Sequence, residues 1–484
     1  MPNLSKLLLS AALAGALLLG CGDDDPCDLA DITSCGPGSL CKADTEGEPS
    51  CVPGCLLDTP STCEDGQACE EVEAGEPRCF AKVVLRGKIT DALEKTGVAA
   101  ARVAARDEGG IVVGRVAVSG TDGSYELGLP ARRKADGSPV STIYTLRADA
   151  SAYHSFPGGL RPALPIDLAT AAPPQSGAPY VIDTAATSIS LIPVESPEAL
   201  ATIHGRVEGA EPAGTLVVAG ESSAVADSGG EFVVFNVAAG PITVRGYVAG
   251  TQLAPVELTV AAGQKVEDVV LAAVADSKLA KITGKVSIVN APGGVKTSVV
   301  LAVEETFIES LEIGQVPRGL RATGVAGDFV IEGVPDGNYV ALASLDNDGL
   351  VRDPDPNIAG TQIVHFEVRG GAPTVASVAF KVTEALAVRS PGAALPEELE
   401  GAPTFVWADD SSEDGYALRV FDALGNVVWE KLDVASPNGG ADLSVPYGGA
   451  PLEPGMVYQF RAESLKSGKP ISRTEELRGV FFIK

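Results

Sequence analysis

The 484-residue chain is poor in positive charge and in aromatic rings. It carries 36 Lys and Arg against 64 Asp and Glu, so its formal net charge is −28. A surface of this sign repels a phosphate backbone, which excludes a nucleic-acid partner. Aromatic residues make up 5% of the chain and hydrophobic residues 45%, so we expect cores built from Val, Ala, Leu and Ile.

Histidine is scarce as well, and this bears on catalysis. His154, His204 and His365 are far apart, and none lies in an H-E-x-x-H or H-x-x-E pattern, which excludes a zinc peptidase. The segment Asp227-Ser228-Gly229-Gly230 is similar to the nucleophile segment of trypsin-like serine proteases, but it also fits a tight turn and no matching histidine segment occurs. We therefore predict a protein that is not an enzyme, with no catalytic residue and no cofactor.

The first twenty residues predict an export signal. Lys6 precedes an uncharged stretch, 7–22, that is too short to cross a bilayer core of about 30 Å as a helix. Its end, Leu18-Leu19-Gly20-Cys21, resembles the lipobox of bacterial lipoproteins. That resemblance implies a signal peptide over 1–20 and a Cys21 that carries a thiol-linked diacylglycerol and an amine-linked acyl chain such as palmitate. The alternative is an ordinary signal peptide that happens to precede a cysteine.

The residue after Cys21 bears on the membrane that would hold the protein. Gly22 stands where lipoproteins retained at the inner membrane have Asp. The resemblance therefore implies a lipid anchor in the outer membrane, facing either the periplasm or the cell surface. A protein or a polysaccharide partner is compatible with either side.

The remaining cysteines form a tandem repeat, and none lies beyond position 79. The spacing C-x7-C-x5-C-x9-C occurs twice, at 27–51 and 55–79. An even set in a short exported segment predicts two disulfides per repeat, with three possible pairings. Zinc is disfavoured because the segment has no C-x2-C pair and no nearby histidine. The predicted disulfide residues are Cys27, Cys35, Cys41, Cys51, Cys55, Cys63, Cys69 and Cys79.

From Val83 onward, short alternating stretches separated by Gly, Pro and Asp predict β-strands. The opening phrase at 85–89, Leu-Arg-Gly-Lys-Ile, recurs in related form at 203–207 and 282–286. A turn that contains Asp and Gly follows each opener and precedes an aromatic residue. We expect these turns to form hairpins and the aromatic rings to point into the core. The three turn segments are 121–127, 227–233 and 327–331.

Closing phrases follow at 237–240, Val-Ala-Ala-Gly, and at 334–339, Val-Pro-Asp-Gly-Asn-Tyr. This combination of opener, turn and closing phrase resembles the carboxypeptidase regulatory-like domain, a transthyretin-like β-sandwich. The resemblance covers 83–384 and implies three sandwiches, at 83–199 with an insertion, at 200–275 and at 280–384. In that family the domain is a spacer or interaction unit, so the resemblance implies no activity.

The last hundred residues, 385–484, are similar to a fibronectin type III domain. The segment 402–407, Ala-Pro-Thr-Phe-Val-Trp, matches the second strand of that domain, and Trp407 matches its buried tryptophan. Tyr458 falls at the position of the tyrosine corner. The resemblance implies a fourth sandwich.

One acidic loop is a candidate metal site. Asp346, Asp348, Asp353 and Asp355 place several carboxylates on a loop stiffened by proline, and Ca²⁺ prefers six to eight oxygen ligands. The spacing is not that of an EF-hand. The alternative is a solvated turn in which these side chains bind the local backbone.

The sequence therefore predicts an all-β protein, with serial β-sandwich domains preceded by a small disulfide-rich tandem repeat within 21–82. We expect the domains to follow one another as a rod. The favoured function is that of a lipid-anchored, non-catalytic envelope or cell-surface protein that serves as a spacer, an adhesion protein or a protein-interaction scaffold. The alternative is a carbohydrate-binding surface lipoprotein, in which an exposed Trp429 would stack on a sugar ring.

Overall fold

The computed structural model describes residues 27–57, 62–73, 75–173, 178–209, 211–343, 349–355, 360–437 and 440–484. The chain divides between Phe80 and Ala81 into two compact units. β-Strands dominate the described residues, which confirms the prediction of an all-β protein. Short 3-10 turns accompany them at Leu168–Thr170, Ala185–Thr187, Pro197–Ala199 and Glu304–Thr306.

The first unit contains the two cysteine repeats, and each repeat carries one pair of short strands. Strand β1 (Ser39–Ala43) is antiparallel to β2 (Pro49–Pro53), and β3 (Gln67–Glu70) pairs with β4 (Arg78–Ala81). Both repeats join the first cysteine to the third and the second to the fourth. The bridges, which confirm the predicted disulfide framework, are Cys27–Cys41, Cys35–Cys51, Cys55–Cys69 and Cys63–Cys79.

These bridges replace a large core in the first unit. Leu40, Cys41 and Cys55 are the hydrophobic residues buried in the described part of this unit. A disulfide contributes about 2–4 kcal/mol, mainly by constraining the unfolded chain. The cross-links therefore supply most of the stability of this unit.

The second unit contains four β-sandwiches, each with two sheets around a hydrophobic core. The strands of the first sandwich are β5 (Val83–Asp91), β6 (Arg102–Arg106), β7 (Val112–Val118), β8 (Ser124–Leu129), β9 (Ile143–Asp149), β10 (Ile166–Asp167), β11 (Tyr180–Ile182) and β12 (Ile189–Leu191). The strands of the second are β13 (Ala201–Glu208), β14 (Leu216–Ala219), β15 (Ser222–Val225), β16 (Glu231–Val237), β17 (Gly240–Val248), β18 (Thr251–Gln252), β19 (Val256–Val260) and β20 (Lys265–Ala272).

The third and fourth sandwiches complete this unit. The strands of the third are β21 (Ala280–Val289), β22 (Thr297–Val303), β23 (Arg321–Val325), β24 (Asp328–Val334), β25 (Gly337–Ala343), β26 (Leu350–Arg352), β27 (Val364–Arg369), β28 (Ala372–Pro373) and β29 (Val378–Glu384). The strands of the fourth are β30 (Val388–Ser390), β31 (Glu397–Leu399), β32 (Thr404–Trp407), β33 (Gly415–Asp422), β34 (Val427–Ala435), β35 (Leu443–Pro446), β36 (Val457–Lys466), β37 (Lys469–Arg473) and β38 (Val480–Ile483).

The three repeated openers form the same element in three sandwiches. Each of β5, β13 and β21 lies between an antiparallel strand and a parallel strand. The antiparallel neighbours are β8, β16 and β24, and the parallel neighbours are β11 with β12, β20 and β29. The sequence repeat therefore corresponds to a repeated sheet arrangement.

The glycine in each opener is required by close packing. A Cβ atom built on Gly284 would lie 2.2 Å from the carbonyl oxygen of Val378 and 2.5 Å from the ring of Phe329. On Gly205 it would lie 2.1 Å from the carbonyl oxygen of Val269 and 2.5 Å from the ring of Phe232. These rings follow the turns, and both are buried as predicted. The opener glycine thus makes room for the aromatic residue of its own module.

The turns themselves correct one prediction. The Asp227 carboxylate accepts the N–H groups of Gly229 and Glu231, each at 2.9 Å, so the segment is a turn. However, β15 and β16 belong to different sheets, as do β7 and β8, and β23 and β24. The predicted hairpins are therefore wrong: each turn crosses from one sheet to the other. Side-chain bonds of this kind close a turn locally without a strand ladder.

Replacing Gly284 by alanine is expected to lower the free energy of unfolding of the third sandwich by about 1–3 kcal/mol, because the added methyl group overlaps a backbone oxygen. Gly327 is the matched control, since nothing lies within 4 Å of a Cβ built there. Urea unfolding followed by far-UV circular dichroism measures both variants. Equal midpoints for Gly284→Ala and Gly327→Ala would show that the opener glycine is not sterically constrained.

Candidate functional site

The sandwiches of the second unit pack on one another, and not only in chain order. Ala92 and Ile192 of the first sandwich share a small hydrophobic cluster with Ala423 of the fourth. Gly455 of the fourth has a φ of +85°, and a Cβ there would lie 1.9 Å from the carbonyl oxygen of Ala92. A rod brings only sequence neighbours together. The first and fourth sandwiches are nevertheless in contact, which corrects that expectation.

A buried arginine joins the first three sandwiches. Arg147, on β9, is fully buried and donates to both oxygens of Asp149, at 2.8 and 2.9 Å. Its Nη1 donates to Oε1 of Gln315 in the third sandwich at 3.1 Å. Its Nη2 donates to the carbonyl oxygen of Ser223 in the second at 2.8 Å. Bonds from an ionised donor are stronger than neutral ones, so this contact fixes three domains together.

A second cluster of charges joins the third and fourth sandwiches. Glu312, whose side chain is 15% exposed, accepts two bonds from Arg473 of the fourth sandwich, at 2.8 and 2.6 Å. Arg352 of the third sandwich donates to the same carboxylate at 2.6 Å. Arg473 also pairs with Glu476. We call these four residues the Glu312 cluster.

Burial and charge act in opposite directions on this cluster. Burial alone raises the pKa of Glu312, but attraction to Arg473, the hydrogen bonds from it and attraction to Arg352 outweigh burial and hold that pKa well below its usual range. Burial lowers the pKa of Arg473, but attraction to Glu312 and Glu476 raises it above the usual value. Glu312 and Arg473 are therefore an ionised pair at neutral pH.

A cavity of about 400 Å³ lies where the four sandwiches meet, and we call it the junction cavity. All four sandwiches contribute to its lining, which is largely apolar. Its charged side chains include four arginines in a chain of strongly negative net charge. The lining includes Arg106, Arg161 and Leu160 of the first sandwich, Leu216 of the second, Ile313, Arg318 and Arg321 of the third, and Glu476 and Leu477 of the fourth.

Arg106 differs from the other arginines of this region. Its Nε is buried without a hydrogen-bond partner, and no hydrogen bond or ion pair joins its guanidinium to any described residue. Burial and repulsion from Arg147 outweigh attraction to Asp149 and lower the pKa of Arg106 to about 10. The group is therefore still cationic at neutral pH. It is a charge at the wall of a cavity, and the acidic group that attracts it, Asp149, has both carboxylate oxygens hydrogen-bonded to Arg147.

The sequence-predicted metal site is only partly described. Asp346 and Asp348, like the predicted lipidation site Cys21, lie outside the described residues. Asp353 is buried and pairs with Lys381 at 2.7 Å, and its Oδ1 accepts the N–H of Asp355 at 3.0 Å. Calcium at this loop stays a prediction, in which Asp353 would have to share its carboxylate between Lys381 and the ion.

The groups of three or more metal-binding side chains found among the described residues are two cysteine triplets. One contains Cys27, Cys35 and Cys51, and the other Cys55, Cys63 and Cys79. All six are disulfide-bonded, so their sulfur atoms are not thiolates that ligate a metal.

The two tryptophans have different environments in the fourth sandwich. Trp407 is fully buried, as predicted. Trp429 is half-buried, with its ring stacked on Phe405 at a centroid distance of 6.1 Å and against Tyr447 at 5.2 Å. The Oη of Tyr458 accepts the N–H of Glu453 at 2.8 Å, the geometry expected of a tyrosine corner. Sugar stacking on Trp429 stays a prediction.

Sequence reasoning missed the junction altogether. Arg147 and Asp149 stand two residues apart on β9 and therefore on the same face of the strand. Their neighbours on the strand are mostly buried as well. A complementary charge pair within an apolar strand is the one local signal that pointed to a buried contact.

Comparisons with known proteins identify no family. No family model matches the chain, and no curated protein matches it. Solved structures that match include a streptococcal ancillary pilin, with 12% identity over 63% of this chain and 99% of that chain and a TM-score of 0.16. The Bacillus anthracis TIE protein matches with 12% identity over 79% of this chain and 65% of that chain, at a TM-score of 0.14.

The shaft pilin SpaA of Lactobacillus rhamnosus GG matches with 10% identity over 40% of this chain and 97% of that chain, at a TM-score of 0.16. Scores this low carry no argument about fold or function. The resemblances to the carboxypeptidase regulatory-like and fibronectin type III domains therefore stay predictions. In the described part of the chain, no helix is long and apolar enough to span a membrane.

Proposed function

We propose that this chain is a non-catalytic outer-membrane lipoprotein, anchored through Cys21, whose four sandwiches form a fixed scaffold for adhesion or protein interaction. The proposal rests on one observation: hydrogen bonds between buried charged side chains hold the sandwiches in fixed positions. Interfaces between mobile domains are typically small and polar, and relative motion is the default expectation for them. Here Arg147 and Glu312 each connect different sandwiches through largely buried, charge-assisted bonds.

Two further features support this proposal. The disulfide framework of the first unit suits an oxidising compartment outside the cytoplasm. The three histidines lie in three different sandwiches: His154 in the first, His204 in the second and His365 in the third. The Asp227 segment forms a turn. The turn accounts for the Asp227 segment, and no histidine belongs to a group of three metal-binding side chains among the described residues.

Cell fractionation and protease shaving test the proposal. The full-length protein and a Cys21→Ser variant are expressed in a bacterium with an outer membrane. We expect the wild type to take up radiolabelled fatty acid and to sediment with the outer membrane, and the variant to be unlabelled and soluble. Cleavage of the sandwiches by protease added to intact cells would place them outside, and protection would place them in the periplasm. Equal sedimentation of both proteins would overturn the lipid anchor.

A further inference from the structure

The proposed scaffold gives no role to the junction cavity, and the cavity has the properties of a ligand site. Its volume of about 400 Å³ lies within the range of pockets that enclose small organic molecules. Leu160, Leu216, Ile313 and Leu477 provide apolar walls. Because the walls come from four sandwiches, the shape of the cavity depends on the fixed packing described above.

The hydrogen bonds of the arginines around the cavity show which guanidinium group lacks a partner among the described residues. Arg147, which does not line the cavity, pairs with Asp149, and Arg473 pairs with Glu312 and Glu476. Arg161 donates to the carbonyl oxygens of Ser190 and Ser155, at 2.8 and 3.2 Å. Of these buried or partly buried arginines, Arg106 alone donates to no described residue.

None of the acidic residues that line the cavity forms a hydrogen bond or an ion pair with Arg106 in the described part of the chain. Asp107 uses Oδ1 to accept the N–H of Ile111 at 2.8 Å. Glu476 pairs with Arg473, and Glu108 is exposed. Arg318 and Arg321 add positive charge to the lining. Asp149 attracts Arg106, but both of its oxygens accept hydrogen bonds from Arg147. A partly buried ion without a hydrogen-bonded partner is costly, and the usual remedy is a counter-ion.

We infer that the junction cavity binds a small organic oxyanion, a carboxylate or a phosphate ester, whose charged group is held by Arg106 and whose apolar part packs on the leucine and isoleucine side chains. The planar guanidinium presents paired donors that match two oxygens of such a group. This inference goes beyond the proposed function and does not depend on Cys21, because it concerns the folded second unit alone.

Binding to purified full-length protein tests the inference by isothermal titration and thermal unfolding. The probes are benzoate and phenyl phosphate, with neutral benzamide as the matched ligand control and inorganic phosphate as the ion control. We expect saturable binding of benzoate or phenyl phosphate, with a rise in melting temperature that grows with concentration. Benzamide is expected to leave the melting temperature unchanged.

Arg106→Met removes the charge and keeps the length of the side chain. We expect it to weaken binding of the organic anion at least about tenfold, the value of one lost charged hydrogen bond. Arg115→Met, on the exposed face of β7, is the protein control and should bind as the wild type does. Without ligand, Arg106→Met should melt no lower than the wild type, because it removes a partly buried charge that has no hydrogen-bonded partner among the described residues.

Arg106→Lys keeps the charge but not the paired donors, so it tests the same point if the methionine variant does not fold. It should bind the organic anion more weakly than the wild type does. Three results would overturn the inference. These are no binding of either organic anion, unchanged binding in both Arg106 variants, and inorganic phosphate bound as tightly as phenyl phosphate, which would indicate an adventitious ion only.

Discussion

Replacing Glu312 by glutamine is expected to lower the free energy of unfolding of the fourth sandwich and its junction by about 3–5 kcal/mol, the usual cost of breaking a buried ion pair. The carboxylate accepts bonds from Arg473 and Arg352, which belong to different sandwiches. Glutamine keeps the shape of the side chain but turns an NH₂ group toward two guanidinium groups. Arg352 then remains largely buried without its counter-ion, and Arg473 keeps only Glu476.

Tryptophan fluorescence during urea unfolding measures this effect across the interface. The chain has two tryptophans, and both lie in the fourth sandwich, whereas Glu312 lies in the third. A lower fluorescence midpoint in Glu312→Gln thus reports coupling between domains. Glu208→Gln is the control, because its pair with Arg206 is exposed and worth at most about 1 kcal/mol. Equal shifts in the two variants would contradict the structural role of the Glu312 cluster.

The same pair makes the junction sensitive to acid. The pKa of Glu312 is lowered in the folded protein, so its contribution to stability is present above the unfolded pKa of about 4.3 and is lost as the pH falls toward the folded pKa. Burial raises the pKa of Glu476, which contributes with the opposite sign. The difference in melting temperature between the wild type and Glu312→Gln should therefore shrink below about pH 4. A difference that is constant with pH would contradict this account.

Replacing Trp407 by alanine is expected to cost about 3–5 kcal/mol in the free energy of unfolding of the fourth sandwich. The side chain is fully buried, with its ring 5.8 Å from that of Tyr416 and 6.4 Å from that of Phe460, measured between centroids. Truncation removes these contacts and leaves a cavity that the surrounding strands fill only in part. The fluorescence of the remaining Trp429 and far-UV circular dichroism both report the unfolding midpoint.

Trp429→Ala is the matched control for this prediction. The two residues have the same type and lie in the same sandwich, but Trp429 is half-buried and on the edge strand β34. It should therefore cost less than Trp407→Ala, because part of its side chain is exposed in the folded protein and less area is lost from the core. Equal costs would mean that burial in the core does not account for the role of Trp407.

The parts of the fold that the sequence predicted are those set by local patterns. The opener phrase predicted Gly205 on a strand, and the turn segment predicted Phe232 in the core. Both predictions were possible because a position without room for a Cβ requires glycine and a buried ring requires an aromatic residue, each within one short segment. The half-buried alternation in β5 was predicted in the same way, although Val84 is buried along with Val83 and Leu85. The cysteine spacing predicted bridges but not their pairing, because the three pairings of one repeat differ only in three dimensions.

The junction was not predictable by the same means. Glu312 and Arg473 are 161 residues apart in the sequence. In a chain with 64 acidic residues, nothing in the sequence distinguishes a buried glutamate from an exposed one. The hairpin prediction failed for a related reason. A turn motif specifies how the backbone reverses locally, whereas the sheet that receives the next strand depends on packing.

The pairing of the cysteines has a mechanical consequence. The shortest covalent route from Cys27 to Cys51 crosses one bridge to Cys41, runs back along 35–41 and crosses the second bridge. Stretched peptide supplies about 3.3–3.6 Å per residue, but most residues of the repeat lie in loops off this route. The second repeat has the same route. With Cys21 as the proposed anchor, a pull on the sandwiches would meet a tether of nearly fixed length that has little slack to release.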